Sequence, residues 1–177
     1  MEDQTRLDWD ARYRAGSHDS HQVDPLAVMA YQDFVEPAFV RPGRALDLAG
    51  GVGRHALWLA ERSWDVTLAD ISEIALEKAE WRAQQRGTQI HILQADLTQW
   101  RFESGGYDLV LVFFYLERLL FPEILRALNP GGFVIYKSYL REQLRFGGGP
   151  SHPMHLLEPN ELLREFSSLR VLYYRET

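Results

Sequence analysis

The sequence predicts an α/β fold, a doubly wound and mainly parallel sheet with helices on both faces and N-terminal helices in front of it. From residue 44 onward, short apolar runs alternate with amphipathic helical stretches, which is the pattern of repeated β-α-β units. A glycine-rich segment follows the first apolar run. Acidic residues end three successive runs, at the sheet edge where open α/β folds bind ligands.

Six strands are predicted from the apolar runs, at residues 45–48, 65–69, 90–94, 108–113, 133–138 and 169–174. Helices are predicted at residues 7–15, 25–39, 54–62, 73–86, 117–128 and 159–166. Ser72 is the expected N-cap of the fourth helix and Gly87 its C-terminal stop. Residues 129–132 (NPGG) are predicted as a turn.

The length of 177 residues fits one domain, in which residues 1–43 form a helical cap and residues 44–177 the sheet core. With 46% hydrophobic and 25% charged residues, the composition is that of a globular protein. The polar start and the lack of a long apolar run predict a cytoplasmic protein without a membrane span.

Charge and cysteine content exclude several functions. The chain has no cysteine, so disulfides, thiolate metal sites and cysteine nucleophiles are ruled out. A net charge of -6 argues against nucleic acid, whose binding depends on clustered Lys and Arg. Two histidines at residues 151–155 (SHPMH) have no carboxylate at ligand spacing, so no metal site is expected.

The strongest local signal is the glycine-rich segment at residues 47–53 (DLAGGVG). Glycines there let the backbone approach a ligand and turn into a helix whose N–H groups face the cleft. The segment also satisfies the dinucleotide pattern G-x-G-x-x-A, which keeps a nicotinamide-dependent oxidoreductase open as an alternative.

Three acidic residues favour a different nucleoside-containing cofactor. Asp47 lies at the end of the first strand, where a carboxylate repels pyrophosphate and attracts a cationic ligand. S-adenosylmethionine has no phosphate and carries a sulfonium and an ammonium group. Asp70 ends the second strand, where it is placed to accept hydrogen bonds from ribose hydroxyls, and Asp96 follows the third, where it can accept one from the adenine amino group.

These residues resemble the class I S-adenosylmethionine-dependent methyltransferases, whose sheet is Rossmann-like. Within that family the chain looks most like the small tellurite-resistance (TehB-like) methyltransferases, through residues 9–13 (WDARY) and 114–118 (FYLER). The resemblance implies that Gly51 and Gly53 pack against the methionine part and that Asp96 and Leu97 contact adenine. The resemblance also places Tyr13 over the cofactor.

The predicted cofactor-binding set combines the strand-end acids, the loop, and residues that follow the second, third and fourth strands. Its members are Tyr13, Asp47, Ala49, Gly50, Gly51, Gly53, Asp70, Ile71, Asp96, Leu97, Phe113 and Phe114. Phe113 and Phe114 are expected beside the transferred methyl group. Arg118, Arg145 and His152 are predicted to line a pocket for a small anionic acceptor. No residue is assigned as a catalytic acid or base.

Two departures from the family support another interpretation, a module that binds S-adenosylmethionine without turnover. Ala49 stands where the family has glycine, and its methyl group is expected to crowd the cofactor. The family's sheet ends with an antiparallel seventh strand between the fifth and sixth, and the chain shows no segment for it. An open edge invites pairing, so a homodimer through that edge is a further hypothesis.

Overall fold

The computed structural model describes residues 2–101, 105–146 and 149–177, with side chains from Gln4 onward. A sheet of five parallel strands forms its centre. The strands are β1 (Arg44–Leu48), β2 (Asp65–Asp70), β3 (His91–Gln94), β4 (Tyr107–Phe113) and β5 (Leu128–Lys137). Six α-helices accompany them in the described part of the chain: α1 (Glu2–Arg14), α2 (Pro25–Ala30), α3 (Arg54–Ala60), α4 (Glu73–Gln85), α5 (Leu120–Ala127) and α6 (Glu161–Glu165).

The strand order is β3-β2-β1-β4-β5, which confirms the predicted doubly wound α/β class. The order reverses between β1 and β4, because the chain first builds outward from β1 and then returns to its other side. At such a switch point the loops at the carboxyl ends of the strands diverge and leave a cleft. The candidate site lies there.

Both faces of the sheet are covered, and alternate side chains of a strand go to opposite faces. Leu109 and Leu111 of β4 belong to the core under α3 and α4, which also contains the π-helical turn Tyr31–Val35 after α2. Val110 and Val112 belong to the core under α5 and α6. Apolar residues on both faces explain why β4 reads as an unbroken apolar run.

The N-terminal helix α1 packs on α4. Tyr13 and Val52 form a small buried cluster there with Ala75, against which Trp9 also packs. Ser72 caps α4 by accepting a hydrogen bond from the Ala75 N–H at 3.1 Å, as predicted. Helix α1 therefore rests on the helix that follows β2, beside the cleft.

The predicted sixth strand at residues 169–174 is wrong. Residues 171–174 lie outside the sheet, and their large side chains are between 36% and 49% exposed. A strand requires a neighbour for its N–H and C=O groups, and apolar alternation does not reveal whether one exists.

Every strand pair in the described residues is parallel, and β5 forms one edge. The homodimer through this edge stays a hypothesis, and a monomeric mass by light scattering would contradict it.

Residues 129–132 do not separate helix from strand, because α5 ends at Ala127 and β5 begins at Leu128. They bulge from β5 instead, since Tyr107 pairs with Leu128 whereas Leu109 pairs with Phe133. The predicted turn thus exists as an interruption of the strand register.

Helix bounds differ from the prediction where proline or local geometry intervenes. The second predicted helix changes from α to π at Tyr31 and to a 3-10 turn at Glu36–Ala38, which contains Pro37. Helix α5 begins at Leu120, three residues later than predicted. Within the described ranges, none of the helices has both the length and the apolar character needed to cross a bilayer.

Candidate cofactor and acceptor site

The turn from β1 into α3 is formed by residues 49–53, three of which have left-handed backbone. The φ angles are +52° at Ala49, +56° at Gly51 and +76° at Gly53. A side chain on Gly51 would collide with the Tyr13 hydroxyl, so this glycine lets α1 lie directly on the loop. Gly53 faces elsewhere: a Cβ there would meet Ala79 at 3.1 Å, so it serves the packing of α3 on α4.

Asp47 is completely buried beneath this loop. Its Oδ2 accepts a hydrogen bond from the Ala56 N–H at 3.1 Å, whereas its Oδ1 has no partner among the described residues. Burial raises the pKa of Asp47 to about 7, although the Ala56 N–H and the Arg54 charge act in the opposite direction. A Cβ on Gly50 would lie 2.6 Å from the carboxylate, so the loop covers Asp47 only because residue 50 lacks a side chain. A buried, half-satisfied carboxylate suits a nearby cation.

Asp70 joins the loop to the start of α4. Its Oδ2 accepts from the Gly51 N–H at 2.8 Å and its Oδ1 from the Ser72 N–H at 2.9 Å. Burial raises the pKa of Asp70, and these N–H donors oppose that rise. Each carboxylate oxygen keeps a second lone pair for a hydroxyl donor. The next residue, Ile71, is half-buried, and its carbonyl accepts a hydrogen bond from Gln94 at 3.3 Å.

Asp10 of α1 was not predicted as part of the site, yet it is only 1% exposed. Its Oδ1 accepts from the Ser72 hydroxyl at 2.6 Å and from the Ile74 N–H at 3.3 Å. Ser72 therefore connects Asp10 to Asp70, so α1 is part of the support of the strand-end acid. The available signal was the WDARY segment, in which Asp10 lies one helical turn before Tyr13.

Tyr13 is 6% exposed and covers the glycine loop. Burial, followed by the nearby charge of Asp70, raises the pKa of its phenol. Its carbonyl accepts a hydrogen bond from Lys78 at 2.7 Å. Lys78 and Arg82 of α4 both pair with Asp19, which holds the segment after α1 on the same helix.

The residues predicted to contact adenine are held next to β2 by a backbone hydrogen bond from the Ala95 N–H to the Asp70 carbonyl at 3.0 Å. Asp96 is half-buried, and one of its oxygens accepts from the Thr98 N–H at 2.9 Å and hydroxyl at 2.7 Å. Leu97 is buried in the core under α5. The predicted pair Asp96 and Leu97 thus lies beside Asp70, with Asp96 ordered by its own turn.

Tyr115 is a second residue that the sequence reasoning missed. Burial raises the pKa of its phenol, and the charges of Glu117, Asp96 and Asp70 add to that rise. The Tyr115 phenol is therefore close enough to Asp70 and Asp96 for their charges to affect it. The signal was its place in the FYLER segment, directly after the two predicted phenylalanines.

Phe114, at the carboxyl end of β4, has φ +61° and is 40% exposed. Its N–H donates to the Lys137 carbonyl at 2.7 Å, and its ring lies 5.2 Å from that of Tyr139. Two cations lie over the ring, with Lys137 Nζ at 5.2 Å and Arg54 Cζ at 5.6 Å from its centroid. The end of β4 therefore carries an aromatic surface with positive charge beside it.

His55 lies beneath this surface, 4.2 Å from the ring of Phe113. Its Nε2 accepts a hydrogen bond from the Asp24 N–H at 3.3 Å. Burial, assisted by the Arg54 charge, lowers the pKa of His55 to about 3. His55 is therefore neutral at physiological pH, with Nε2 already occupied.

The three predicted acceptor residues lie outside this surface. Arg118 makes a two-pronged ion pair with Glu161 at 2.7 and 3.0 Å and donates to two backbone carbonyls, so it holds the C-terminal segment. Arg145 lines a separate cavity after β5, and His152 caps the short helix Pro153–His155. Their acceptor role stays a prediction, and the geometry gives them structural contacts.

Two cavities of the structure lie away from the cleft. One, of about 350 Å³, lies at the opposite end of the sheet, lined by residues before β1 and β2 that include Pro42 and Trp64. The other, of about 330 Å³, is the one beside Arg145. In the ranges that the structure describes, no three His, Asp or Glu residues are grouped as metal ligands.

Comparisons with known proteins agree with this geometry. Residues 45–132, from β1 to the bulge in β5, match the model of a family described as a methyltransferase domain. The chain is 32% identical over 130 residues to demethylmenaquinone methyltransferase from Thermus thermophilus, covering 61% of this chain and 59% of that protein. It is 35% identical over 105 residues to glycine/sarcosine N-methyltransferase from Halorhodospira halochloris, covering 52% of this chain and 38% of that protein.

The chain thus spans between about two fifths and three fifths of the length of these relatives. Among solved structures, TehB from Haemophilus influenzae superposes with a TM-score of 0.73 at 18% identity, over 94% of this chain and 57% of TehB, which is a likeness of fold. Family match, relatives and fold agree on one assignment. Residues 45–132 match a methyltransferase domain, and the relatives and the fold support a methyltransferase of the class I S-adenosylmethionine-dependent type.

Proposed function

We propose that the chain binds S-adenosylmethionine at the carboxyl ends of β1, β2 and β3 and transfers its methyl group to a small acceptor beside Phe114. The observation that carries the proposal is the buried pair of strand-end acids, Asp47 and Asp70, which meet at the glycine loop. A phosphate would be repelled by this pair, whereas a cation and a ribose diol suit it.

The residues present fit the cofactor. Asp47 has a buried oxygen without a partner, which suits the ammonium group, directly or through water. Asp70 keeps free lone pairs for the ribose hydroxyls. Asp96 and Leu97 offer a polar and an apolar contact for adenine. Tyr13 covers the loop and would exclude water from the reacting atoms.

When bound, the cofactor supplies a methyl group on a sulfonium, already activated for displacement. The residues of the chain then have to position the methyl donor and the acceptor, because an in-line displacement depends on their close and collinear approach. His55 is unsuited to proton removal, since its Nε2 is occupied and its pKa is lowered to about 3. Phe113 and Phe114 supply an apolar wall on the acceptor side.

Titration calorimetry with S-adenosylmethionine and S-adenosylhomocysteine tests the cofactor assignment. We expect binding by the wild type and a loss of about 100-fold in Asp70→Asn, because two hydrogen bonds to a charged group at about 1.5 kcal/mol each would be weakened. NADH serves as a competitor and is expected not to displace the ligand.

Asp65→Asn is the matched control, since Asp65 begins the same strand at the opposite end of the sheet and is exposed. Both variants are checked for folding by circular dichroism. Undiminished binding by a folded Asp70→Asn, or displacement by NADH, would contradict the proposal.

A binding module without turnover is the second candidate, and one observation favours it. Ala49 holds left-handed backbone in the loop where the family has glycine, so its methyl group lies in the turn that approaches the cofactor. Cofactor binding without loss of labelled methyl, across a panel of small nucleophiles, would favour this candidate over the enzyme.

A further inference from the structure

Phe114 has features that core packing does not require. Left-handed backbone is uncommon for a bulky side chain and costs about 1–2 kcal/mol. The ring is nevertheless 40% exposed, so burial does not offset that cost in full. Strained and exposed residues of this kind occur at ligand sites, where geometry is held for a purpose other than stability.

The positive charge beside this ring is only partly neutralised. Lys137 pairs with Asp24 at 2.8 Å. Arg54 has no carboxylate within ion-pair distance in the part of the chain that the structure describes, and it is half-buried. On a protein with a net charge of -6, the end of β4 thus presents a guanidinium without an ion-pair partner among the described residues.

Arg54 also connects this surface to the cofactor loop. It is the first residue of α3, directly after Gly53. Its charge influences the pKa of Tyr13 and of Asp47 on one side, and its guanidinium lies over Phe114 on the other. A group held by Arg54 therefore lies between the glycine loop and the exposed ring.

We infer that the acceptor is a small planar molecule bearing an anionic group, with its ring against Phe114 and Tyr139 and its anionic group on Arg54. This inference rests on the proposed function. A guanidinium pairs with a carboxylate through two parallel hydrogen bonds, and aromatic rings stack favourably at these separations.

A bond forms between the acceptor's nucleophilic atom and the methyl carbon as the carbon–sulfur bond breaks, the electron pair stays on sulfur, and a proton on the acceptor passes to water. The anionic group on Arg54 orients the ring and takes no part in bond making. The group by which the acceptor is recognised is therefore distinct from the atom that is methylated.

Three probes with the same ring test the inference: para-hydroxybenzoate, para-hydroxybenzamide and para-hydroxybenzylamine, which are negative, neutral and positive near neutral pH. Each is titrated against the protein with and without S-adenosylhomocysteine. We expect the anion to bind about tenfold more tightly than the amide, as one charge-assisted pair provides. Arg54→Gln should erase that preference, and Phe114→Leu should weaken all three probes.

Arg170→Gln is the control for net charge, because Arg170 is exposed and distant in sequence from the cleft. It should keep the preference. Equal or reversed preference in the wild type, a preference that survives in Arg54→Gln, or binding of none of the probes would overturn the inference. If S-adenosylhomocysteine fails to bind while the anion preference persists without it, the proposed function fails and the anion site stands.

Discussion

The two ends of the cleft are built in different ways. At the end proposed to bind the cofactor, called the cofactor end, buried carboxylates of Asp10, Asp47 and Asp70 are held by backbone N–H groups and by the Ser72 hydroxyl. At the acceptor end, exposed rings lie between long cations, as Phe114 does between Arg54 and Lys137. The first end is fixed by short hydrogen bonds, whereas the second depends on flexible side chains.

This difference predicts where a substitution is costly and where it is tolerated. Buried polar groups are costly unless every partner is in place, so a change at the cofactor end propagates through the network. Rings and long cations tolerate exchange, because each contact is weak and partly exposed.

The largest expected effect is on stability at the cofactor end. Asp10→Ala should lower the free energy of unfolding by about 3 kcal/mol, because the Ser72 hydroxyl and the Ile74 N–H lose a buried charged acceptor. Urea unfolding measures the loss. Weaker cofactor binding should accompany it, since Ser72 also holds Asp70.

Two control variants decide whether the two ends truly differ. Asp8→Ala removes an exposed aspartate from the same helix, whose hydrogen-bond partner is Gln4, and should cost under about 0.5 kcal/mol. Phe114→Leu at the acceptor end should cost under about 1 kcal/mol, because the ring is exposed and its backbone strained. A loss in Phe114→Leu as large as in Asp10→Ala would remove the contrast.

The next effect concerns pH. The folded pKa of Asp47, about 7, lies above its usual value of 3.8, so between these values the folded protein keeps a proton that the unfolded chain has released. The contribution of this proton to the free energy of unfolding is complete below about pH 4 and decreases as the pH rises to about 7. Above that pH it no longer changes. Relative to Asp47→Asn, the wild type should therefore lose roughly 2 kcal/mol between about pH 5 and about pH 7.

Urea unfolding of both proteins across this range provides the measurement. The difference between them is the informative quantity, because other carboxylates also contribute: the pKa of Asp70 is raised like that of Asp47, whereas the pKa of Glu161 is lowered. Burial raises the pKa of Glu161 but its pair with Arg118 outweighs that and lowers it. Asn keeps an oxygen for the Ala56 N–H. A difference that stays constant across this range would show that Asp47 is already ionised in the folded protein.

The same contrast explains what the sequence could reveal. The cofactor end depends on residues adjacent to strand ends, so the motif at residues 47–53 and the acids Asp70 and Asp96 were predictable from local pattern. The five strands of the sheet were predictable because each contains a short apolar run, although β5 begins at Leu128, before the predicted start at residue 133. Asp10 was missed because its partner Ser72 is 62 residues away, and only the packing of α1 on α4 brings them together.

The acceptor end was mostly unpredictable. Arg54 and Lys137 come to Phe114 from separate elements, and only the strand order of the sheet makes them neighbours. Arg118 is predicted to bind an anionic acceptor because arginine suits that task, yet its guanidinium pairs with Glu161. The segment at residues 169–174 has strand-like alternation without an edge to pair with.

The smallest effect is expected at Ala49, the position where the loop departs from glycine. Left-handed backbone costs alanine about 1–2 kcal/mol, and glycine would remove that cost while adding up to about 1 kcal/mol of unfolded-state entropy. Ala49→Gly should therefore raise the free energy of unfolding by about 0.5 kcal/mol, measured by urea denaturation. Ala60→Gly in the adjoining helix α3 is the control and should lower it by about 1 kcal/mol, because the helical backbone there suits alanine. If both variants lose stability alike, the loop at Ala49 is not strained, and the cofactor end owes its rigidity to the buried acids alone.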